Sequence, residues 1–301
     1  GALLRRAEIF DVYPAEGRVS LAVRLEFRAD ETTPYHDPEF RKYYQGQYGA
    51  RRGIWNILEL LEKYRVKATF FVLGTTAEKY PDTVQAAAKA GHEIASMGYS
   101  FGSIRTASEE QERANVRRSA KILEDIAGVK IRGWRCPDYR VSPNTLDILA
   151  EEELLWDSSL LNDDLPYLFQ TRAQKIVEIP FTTSTADKTY VGYPYPQRGG
   201  PDGLASVWNN ELDVLYKESE KDPRLMNLSL QTWATGRPAT LRVLGRLLDR
   251  LVGHEEFRFA QCSEVAAWLS DWLKKILPSV CVLMMKRVRQ LSVVWVSYTL
   301  R

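Results

Sequence analysis

Histidine and cysteine, the side chains that most often bind a catalytic metal, are few in this sequence and lie far apart. The histidines are His36, His92 and His254, and the cysteines are Cys136, Cys262 and Cys281. No Cys-x-x-Cys pair occurs, so the spacing indicates neither a thiolate zinc site nor a disulfide framework. No three-ligand cluster can be assembled from these residues. A reducing compartment fits the cysteine usage, and the cytoplasm is the default expectation.

One histidine is placed where it could move a proton. His36 lies in the segment DETTPYHDPEF, a polar loop that follows the first predicted strand. If the loop folds over a site, His36 is the side chain there that titrates near neutral pH. The competing interpretation is a solvated loop histidine, which is the more common case.

Two charged residues, Arg24 and Glu26, lie near the end of the apolar run Val19–Phe27. An arginine at a buried strand end is costly unless it meets a carboxylate or an anionic ligand. Pairing with Glu26 or a nearby aspartate is the favoured interpretation, and binding of an anionic ligand is the alternative.

The elements that would position these residues alternate between short apolar strands and amphipathic helices. The predicted strands are Val19–Phe27, Val66–Leu73, His92–Met97, Lys130–Trp134, Leu154–Asp157, Ile176–Ile179 and Met226–Gln231. The predicted helices are Gly53–Tyr64, Thr76–Ala90, Ser108–Ile126, Pro143–Glu152, Leu204–Ser219, Ala239–Leu251 and Ser263–Ile276. This alternation predicts an α/β fold, a distorted (β/α) barrel of about seven strands, in a single domain over residues 1–278. Chemistry in such barrels lies where the strands end.

The composition is that of an ordinary globular protein, with 45% hydrophobic and 27% charged residues among 301. The 41 basic and 39 acidic residues nearly balance, so no field favours nucleic acid or an anionic membrane as a partner. Residues 279–301 form a C-terminal extension whose two apolar runs are too short to span a membrane. A packed strand or a poorly ordered tail is favoured there over an amphipathic partner-binding segment. The expected partner is a small molecule, and homo-oligomers stay open.

Three runs of sequence resemble the polysaccharide deacetylase (NodB-homology) family, especially its allantoinase-like and cyclic imide hydrolase branch. They are Lys67–Ser103, Gly133–Tyr167 and Leu228–Leu248. The resemblance implies a distorted (β/α) barrel, in agreement with the periodicity. It also implies a divalent metal held by one aspartate and two histidines, with a second aspartate as the base that activates water.

The residues at the implied metal positions cannot do this chemistry. The paired histidines of the family align with Met97 and Phe101, which lack suitable donor atoms for a hard divalent ion. The base position aligns with Arg24 and the metal carboxylate with Glu26. The late histidine that acts as an acid in the family aligns with Gln231, which does not titrate. Met97 and Phe101 are equally consistent with an apolar plug and with a floor for a flat substrate.

Other motifs of the family persist. Trp134, Arg135, Asp138 and Tyr139 match a motif that orients the catalytic aspartate and lines the substrate groove, although a purely structural turn explains them equally well. Asp157 is expected to cap the end of its strand.

Further along the chain, Asp164 and Tyr167 are expected to face the pocket. Gln231 and Trp233 would also face it if the strand register holds, although a core role is more usual for a tryptophan.

The favoured hypothesis is an enzyme without a metal or other cofactor, acting on a small polar or carboxylate-bearing molecule. Arg24 and Arg135 would stabilise negative charge, and Glu26, Asp138 or His36 would move a proton. Isomerisation, elimination, decarboxylation and imide-type C–N hydrolysis all suit such a site. One alternative is a non-catalytic ligand-binding or scaffolding protein, and another is a conventional metal-dependent deacetylase whose ligands the motifs do not reveal.

Overall fold

The computed structural model describes most of the chain. Backbone and side chains are described for residues 46–101, 107–137, 139–191, 199–221, 223–254 and 257–271, and the backbone alone for 4–15, 18–27, 272–276 and 291–297. The chain divides into two compact units, Gly1–Tyr43 and Tyr44–Arg301. This division differs from the predicted single domain over 1–278, and the two units are described separately below.

The first unit contains an antiparallel pair of strands, β1 (Leu4–Ala15) and β2 (Arg18–Phe27). The strand predicted over Val19–Phe27 is therefore confirmed, but its expected place in the parallel sheet is wrong. Only two residues separate β1 from β2, and two extended runs so close in sequence pair with each other most readily.

The second unit is built on a nine-stranded sheet. Its strands are β3 (Thr69–Val72), β4 (Glu93–Ser96), β5 (Gly133–Trp134), β6 (Trp156–Asp157), β7 (Tyr167–Gln170), β8 (Lys175–Glu178), β9 (Arg224–Gln231), β10 (Phe257–Phe259) and β11 (Leu291–Ser297). Their order is β10-β11-β3-β4-β5-β6-β8-β7, and β9 also pairs with β11. All pairs are parallel except β7 with β8. The α/β class is confirmed, whereas closure into a barrel and the strand number remain predictions.

Helices follow most of the strands, as the alternation predicts. They are α1 (Ile54–Tyr64), α2 (Gly74–Lys79), α3 (Pro81–Lys89), α4 (Glu109–Ala127), α5 (Thr145–Glu151), α6 (Lys188–Val191), α7 (Gly200–Glu218), α8 (Thr232–Thr235), α9 (Pro238–Leu251) and α10 (Cys262–Ile276). The helix predicted over Thr76–Ala90 is split at Tyr80, because Pro81 begins a new helix at its N1 position. Among the described residues, no helix combines the length and the apolarity needed to cross a bilayer.

Strand β11 occupies an unexpected place. It pairs with β3 through Val296 and Phe70, and with β9 through Val296 and Leu230. Chain order would give the position beside β3 to the preceding strand, β2. The packed strand predicted as one possibility within residues 279–301 is thus present, and it is part of the central sheet rather than an appended segment.

The two faces of the sheet follow from the strand alternation. The outer face packs against helices and includes Phe70, Val72, Ile94, Trp134 and Ile176. The inner face has a separate apolar cluster, which includes Phe71, Leu73, Ala95, Met97, Trp156, Val177 and Ile179. Helix α10 packs on this inner cluster through residues such as Cys262 and Val265. Its start is fastened at the amino ends of β3 and β4, where Cys262 N donates to Thr69 Oγ1 at 2.9 Å.

A close crossing of two short helices lies beside the carboxyl end of β9. A π-helical turn, Gly49–Gly53, runs against α8, and a Cβ on Gly53 would lie 2.0 Å from the carbonyl oxygen of Thr232. A Cβ on Gly236 would lie 2.3 Å from Gly53 Cα. Only glycine allows this approach, so these two glycines fix the position of α8 directly after Gln231.

Candidate functional site

The polar residues at the carboxyl ends of the strands centre on Arg135, which follows β5. Because Trp134 faces outward, the alternation turns Arg135 to the inner face, where its side chain is fully buried. Its Nε donates to the carbonyl oxygen of Ser158 at 2.8 Å, and its Nη2 donates to Ser158 Oγ at 2.7 Å. The residues after β5 and β6 thus hold one guanidinium in a fixed orientation.

The guanidinium of Arg135 lies between two aromatic rings. Its Cζ is 4.0 Å from the ring centre of Phe71 and 4.6 Å from that of Phe181. Both contacts are cation–π interactions, which stabilise a desolvated cation by about 2 kcal/mol or more. The rings leave the edge of the guanidinium plane for hydrogen bonding.

One donor on this edge is unused. Arg135 Nη1 is buried and has no hydrogen-bond partner among the described residues, and no carboxylate there forms an ion pair with the guanidinium. Burial lowers the pKa of Arg135, and the nearby Tyr139, Cys262, Asp157 and Glu178 oppose this effect. A buried, unpaired cationic donor costs stability. It is therefore a candidate for binding an oxygen of a ligand.

Tyr139 extends the aromatic wall. Its ring centre lies 4.5 Å from that of Phe181, and Lys188 Nζ donates to its hydroxyl at 3.0 Å. The backbone of Tyr139 is left-handed, with φ of 58°. Non-glycine residues in this region cost about 1–3 kcal/mol and cluster at functional sites.

A second buried ionisable group, Asp187, lies next to Lys188. Its Oδ2 accepts from Gln231 N at 2.7 Å and from Thr235 Oγ1 at 2.6 Å. Its Oδ1 is buried without a hydrogen-bond partner among the described residues. Burial raises the pKa of Asp187 to about 7, against the opposing effect of the hydrogen bonds from Thr235 and Gln231. A carboxyl group of this pKa can both accept and donate a proton at neutral pH.

Asp187 reaches this position because the segment after β8 runs along β9. Asn227 Nδ2 donates to the carbonyl oxygen of Pro180 at 3.2 Å, and Asp187 N donates to that of Ser229 at 3.1 Å. Phe181, Asp187 and Lys188 lie between the predicted strand Ile176–Ile179 and the predicted helix Leu204–Ser219, where the sequence shows no regular pattern that would indicate a site. A single aspartate in a polar loop carries no periodicity that would indicate burial.

The prediction for Asp157 is confirmed. Asp157 Oδ2 accepts from Ser159 N at 3.0 Å and its Oδ1 from Ser159 Oγ at 2.7 Å, so it caps the end of β6.

Trp134 is the last residue of β5, but its side chain does not face the inner side of the sheet. It is fully buried in the outer layer between sheet and helices, because the strand alternation gives the inward direction to Arg135 instead. Its expected contact with substrate stays a prediction.

Asp164 and Tyr167 lie toward the surface. Asp164 is exposed, and its charge contributes to the raised pKa of Glu211, which burial mainly causes. Tyr167 is half-buried at the start of β7, and Asn162 Nδ2 donates to its hydroxyl at 2.9 Å. The interactions of Asp164 and Tyr167 described above involve neither Arg135 nor Asp187, so their expected role at the pocket stays a prediction.

Gln231 is buried at the end of β9, directly beside Asp187. Trp233 is partly buried in α8, where the π-helical turn at Gly49 approaches its backbone. The close crossing at Gly49 explains this placement by packing.

Four predicted residues cannot be placed in the site. Arg24 and Glu26 lie on β2, where their backbone partners in the ladder are Glu8 and Arg6, and their side chains lie outside the described residues. His36 and Asp138 also lie outside the described residues. Their roles stay predictions.

Comparison with known proteins identifies the domain. The sequence profile of the polysaccharide deacetylase family matches residues 46–154. The chain carries a polysaccharide deacetylase domain. A Schizosaccharomyces pombe protein assigned to the polysaccharide deacetylases is 28% identical over 241 residues, which cover 74% of each chain. The resemblance predicted from the motifs is therefore confirmed.

Two solved structures are similar over most of their length. One is a Mycobacterium smegmatis protein assigned to the polysaccharide deacetylases, with 26% identity and a TM-score of 0.71 over 84% of this chain and 88% of that one. The other is PuuE allantoinase, with 29% identity and a TM-score of 0.71 over 80% of each chain. This chain therefore shares its fold with both of these proteins, and Arg135 and Asp187 lie within that shared fold.

The described residues that align with the family's metal-binding histidines are unsuited to a divalent metal. Met97 is 1% exposed in the inner apolar cluster, beside residues such as Leu73 and Ala95, and Phe101 packs against the same cluster. Thioether and phenyl groups surrounded by apolar side chains offer no hard ligands. No group of three or more histidine, cysteine, aspartate or glutamate side chains suited to a metal occurs among the described residues. The burial of Met97 favours the plug over the floor.

The described histidines serve other purposes. His92 Nδ1 accepts from Ala68 N at 3.2 Å, its ring lies against Phe70, and burial lowers its pKa to about 4. His254 is exposed and lies beside the ring of Phe257. His92 is thus a structural residue of this deacetylase domain.

Proposed function

We propose that this polysaccharide deacetylase-like chain is a metal-independent hydrolase that opens a C–N bond in a small cyclic amide or imide. The observation that carries the proposal is the Nη1 donor of Arg135, which is buried between two aromatic rings and has no hydrogen-bond or carboxylate partner among the described residues. The similarity to PuuE allantoinase over 80% of both chains supports a small nitrogen-containing substrate over a polysaccharide.

Arg135 would bind the carbonyl oxygen at which negative charge develops. Its other donors are committed to Ser158, so Nη1 is held in place before the substrate binds. A preorganised donor in a dry site stabilises an oxyanion by about 3–4 kcal/mol. The rings of Phe71 and Phe181 exclude water from the guanidinium.

Asp187 would move the proton. As a carboxylate it accepts a proton from the water that adds to the carbonyl carbon, and a C–O bond forms. The resulting oxyanion collapses, the C–N bond breaks, and Asp187 returns the proton to the leaving nitrogen. The carboxylic acid and the released nitrogen group, an amine from a cyclic amide or an amide from an imide, remain in one ring-opened molecule. The pKa of Asp187, raised by burial to about 7, suits both transfers.

Several sequence-based assignments remain part of the proposal. Arg24 would be a second cation, and Glu26, Asp138 or His36 would be further proton carriers; these roles rest on the sequence alone. Arginine does not lower the pKa of a bound water as zinc does, so a stable acetamide is the least suitable substrate.

The first test is turnover of allantoin, hydantoin, succinimide and an N-acetylglucosamine oligomer by the purified full chain, with and without EDTA. We expect ring opening of a cyclic compound that EDTA does not reduce. Activity that chelation abolishes and zinc restores would overturn the proposal. A compound that binds tightly in a thermal-shift assay and is recovered unaltered would instead favour a binding protein.

The second test replaces Arg135. Arg135→Met keeps a similar length without the charge, and we expect kcat/KM to fall by about 10²–10³. Arg135→Lys retains the charge but loses the planar arrangement of donors, so rescue should be incomplete. The matched control is Arg172→Met, since Arg172 lies on the surface in ion pairs with Glu109 and Asp147. Equal turnover in all three variants would remove Arg135 from the mechanism.

A further inference from the structure

Two buried carboxyl groups lie side by side at the ends of β6 and β8. Asp157 and Glu178 are direct partners in the parallel ladder, and both are 0% exposed. They are within hydrogen-bonding reach of each other. Two adjacent carboxylates in such an environment repel strongly, so both cannot readily be ionised.

The hydrogen bonds around the pair are unequal. Asp157 accepts from Ser159 N and from Ser159 Oγ, so both its oxygens have donors. Glu178 Oε1 accepts from Leu160 N at 3.0 Å, but Glu178 Oε2 is buried and has no donor among the described residues. An oxygen without a donor is the one that a proton would stabilise, because a protonated oxygen becomes a donor itself.

We propose that Glu178 and Asp157 share a single proton, carried on Glu178 and donated to the Asp157 carboxylate, and that this pair positions Arg135. In this state the unpartnered oxygen of Glu178 gains a hydrogen bond, and Asp157 remains an acceptor for Ser159. Together with the cation of Arg135, the buried cluster then has no net charge.

The connection to Arg135 runs through the two serines after β6. Ser159 Oγ donates to Asp157 and accepts from Cys136 N at 2.8 Å, which fixes the backbone directly after Arg135. Ser158, between Asp157 and Ser159, holds the guanidinium through its carbonyl oxygen and hydroxyl. Glu178 is thus a positioning residue that acts through Asp157.

The other charged groups around Glu178 fit this assignment. Tyr167 is its ladder partner on β7, and burial is the main cause of that tyrosine's raised pKa. Burial also keeps the pKa of the Cys262 thiol of α10 well above its ordinary value, so that thiol is neutral. Arg135 is the cation that favours the ionised form of Glu178, whereas burial and Asp157 favour its protonated form.

These effects together raise the pKa of Glu178 from 4.5 to about 10. Because the folded protein then binds a proton that the unfolded chain has lost, the contribution of Glu178 to stability is greatest below pH 4.5. It decreases as the pH rises toward about 10.

The test compares Glu178→Gln, Glu178→Ala and Asp157→Asn in the full chain. An amide nitrogen at 178 can donate to Asp157 as the protonated acid does, so Glu178→Gln should fold and should unfold at a higher temperature than the wild type at pH 8. The difference should grow between pH 5 and pH 9. Asp157→Asn should be less stable, because its amide nitrogen would face a donor from Ser159.

A spectroscopic measurement makes the assignment specific. In the infrared difference spectrum at pH 7, the carbonyl band of a protonated carboxyl group should disappear in Glu178→Gln and persist in the control Glu151→Gln, which lies on the surface. Glu178→Ala should lose the ordering of Arg135, seen as weaker binding of whichever cyclic compound binds the wild type. The proposal fails if no such band is lost, or if Glu178→Gln does not fold or is as unstable as Glu178→Ala. The unfolding and infrared readouts do not depend on the proposed hydrolysis, whereas the binding readout of Glu178→Ala rests on the proposed function.

Discussion

The ionisable side chains at the amino ends of the parallel strands differ from those at the carboxyl ends in how fully they are hydrogen-bonded. At the amino ends, Glu93 accepts hydrogen bonds from Thr69 Oγ1 at 2.7 Å, from Ser263 N at 3.1 Å and from Ser263 Oγ. Both its oxygens have donors, and they fasten the start of α10 to the sheet. At the carboxyl ends, Arg135 Nη1 and Asp187 Oδ1 are fully buried and have no partner among the described residues.

Burial of a charged group therefore does not by itself indicate a functional site. Burial raises the pKa of Glu93 as it raises that of Asp187, yet only Asp187 leaves an oxygen unused. A satisfied buried carboxyl group holds two elements together. A buried carboxyl group with an oxygen that lacks a donor lowers the stability of the fold. This pattern is expected where a ligand completes the hydrogen bonds.

The largest expected effect is that of Asp187→Asn. Loss of the proton carrier should reduce kcat/KM by roughly 10²–10⁴ on the compound identified in the turnover test. In the wild type kcat/KM should rise with pH through about 7 as Asp187 ionises, and the variant should lose this dependence. The measurement is the pH profile of kcat/KM from pH 5 to pH 9.

The same variant should be more stable than the wild type at pH 8. The raised pKa means that ionised Asp187 destabilises the folded state above pH 7, by about 4 kcal/mol at most, and an amide removes this cost. Glu93→Gln is the matched control, since it makes the same change at the amino ends and should leave turnover and its pH profile unaltered. If the pH profile of kcat/KM is unchanged in Asp187→Asn, Asp187 is not the proton carrier, and the proposed functional difference between the amino and carboxyl strand ends is wrong.

The next effect concerns the apolar end of β4. Met97→Ala should lower the free energy of unfolding by about 2–5 kcal/mol, because it opens a cavity in the inner cluster. Met97→Leu, which nearly conserves volume, should cost less than about 1.5 kcal/mol. Chemical denaturation measures both. If Met97→Ala is neutral in stability but changes turnover, the floor rather than the plug is correct.

The smallest effect is expected from Thr235→Val. It removes the hydroxyl that donates to Asp187 Oδ2 at 2.6 Å and so favours the ionised carboxyl group. Without this bond the pKa of Asp187 should rise further, and the midpoint of the kcat/KM profile should move up by about one pH unit. Thr189→Val is the control, because Thr189 Oγ1 donates to the carbonyl oxygen of Thr183 instead. A midpoint that stays in place would show that Thr235 does not bond the reacting form.

The class of fold and much of the order of the elements follow from the amino-acid sequence alone. Apolar runs of strand length alternating with amphipathic helices predicted six strands of the parallel sheet, and motif matches predicted the deacetylase domain. The motif alignment also predicted that Met97 and Phe101 stand at the positions of the family's metal-binding histidines, and this prediction depends on side-chain type alone. The cap at Asp157 followed from local hydrogen bonding, which acts over two residues.

Which polar groups lack a partner among the described residues depends on long-range packing. Side chains alternate between the two faces of the sheet, so Trp134 faces outward and the next residue, Arg135, faces inward. Asp187 is buried because the segment after β8 runs along β9. The tertiary structure also pairs Asp157 with Glu178, which are 21 positions apart in the chain and adjacent in the ladder. Such contacts join segments that are distant in the chain, so a pattern of neighbouring residues does not predict them.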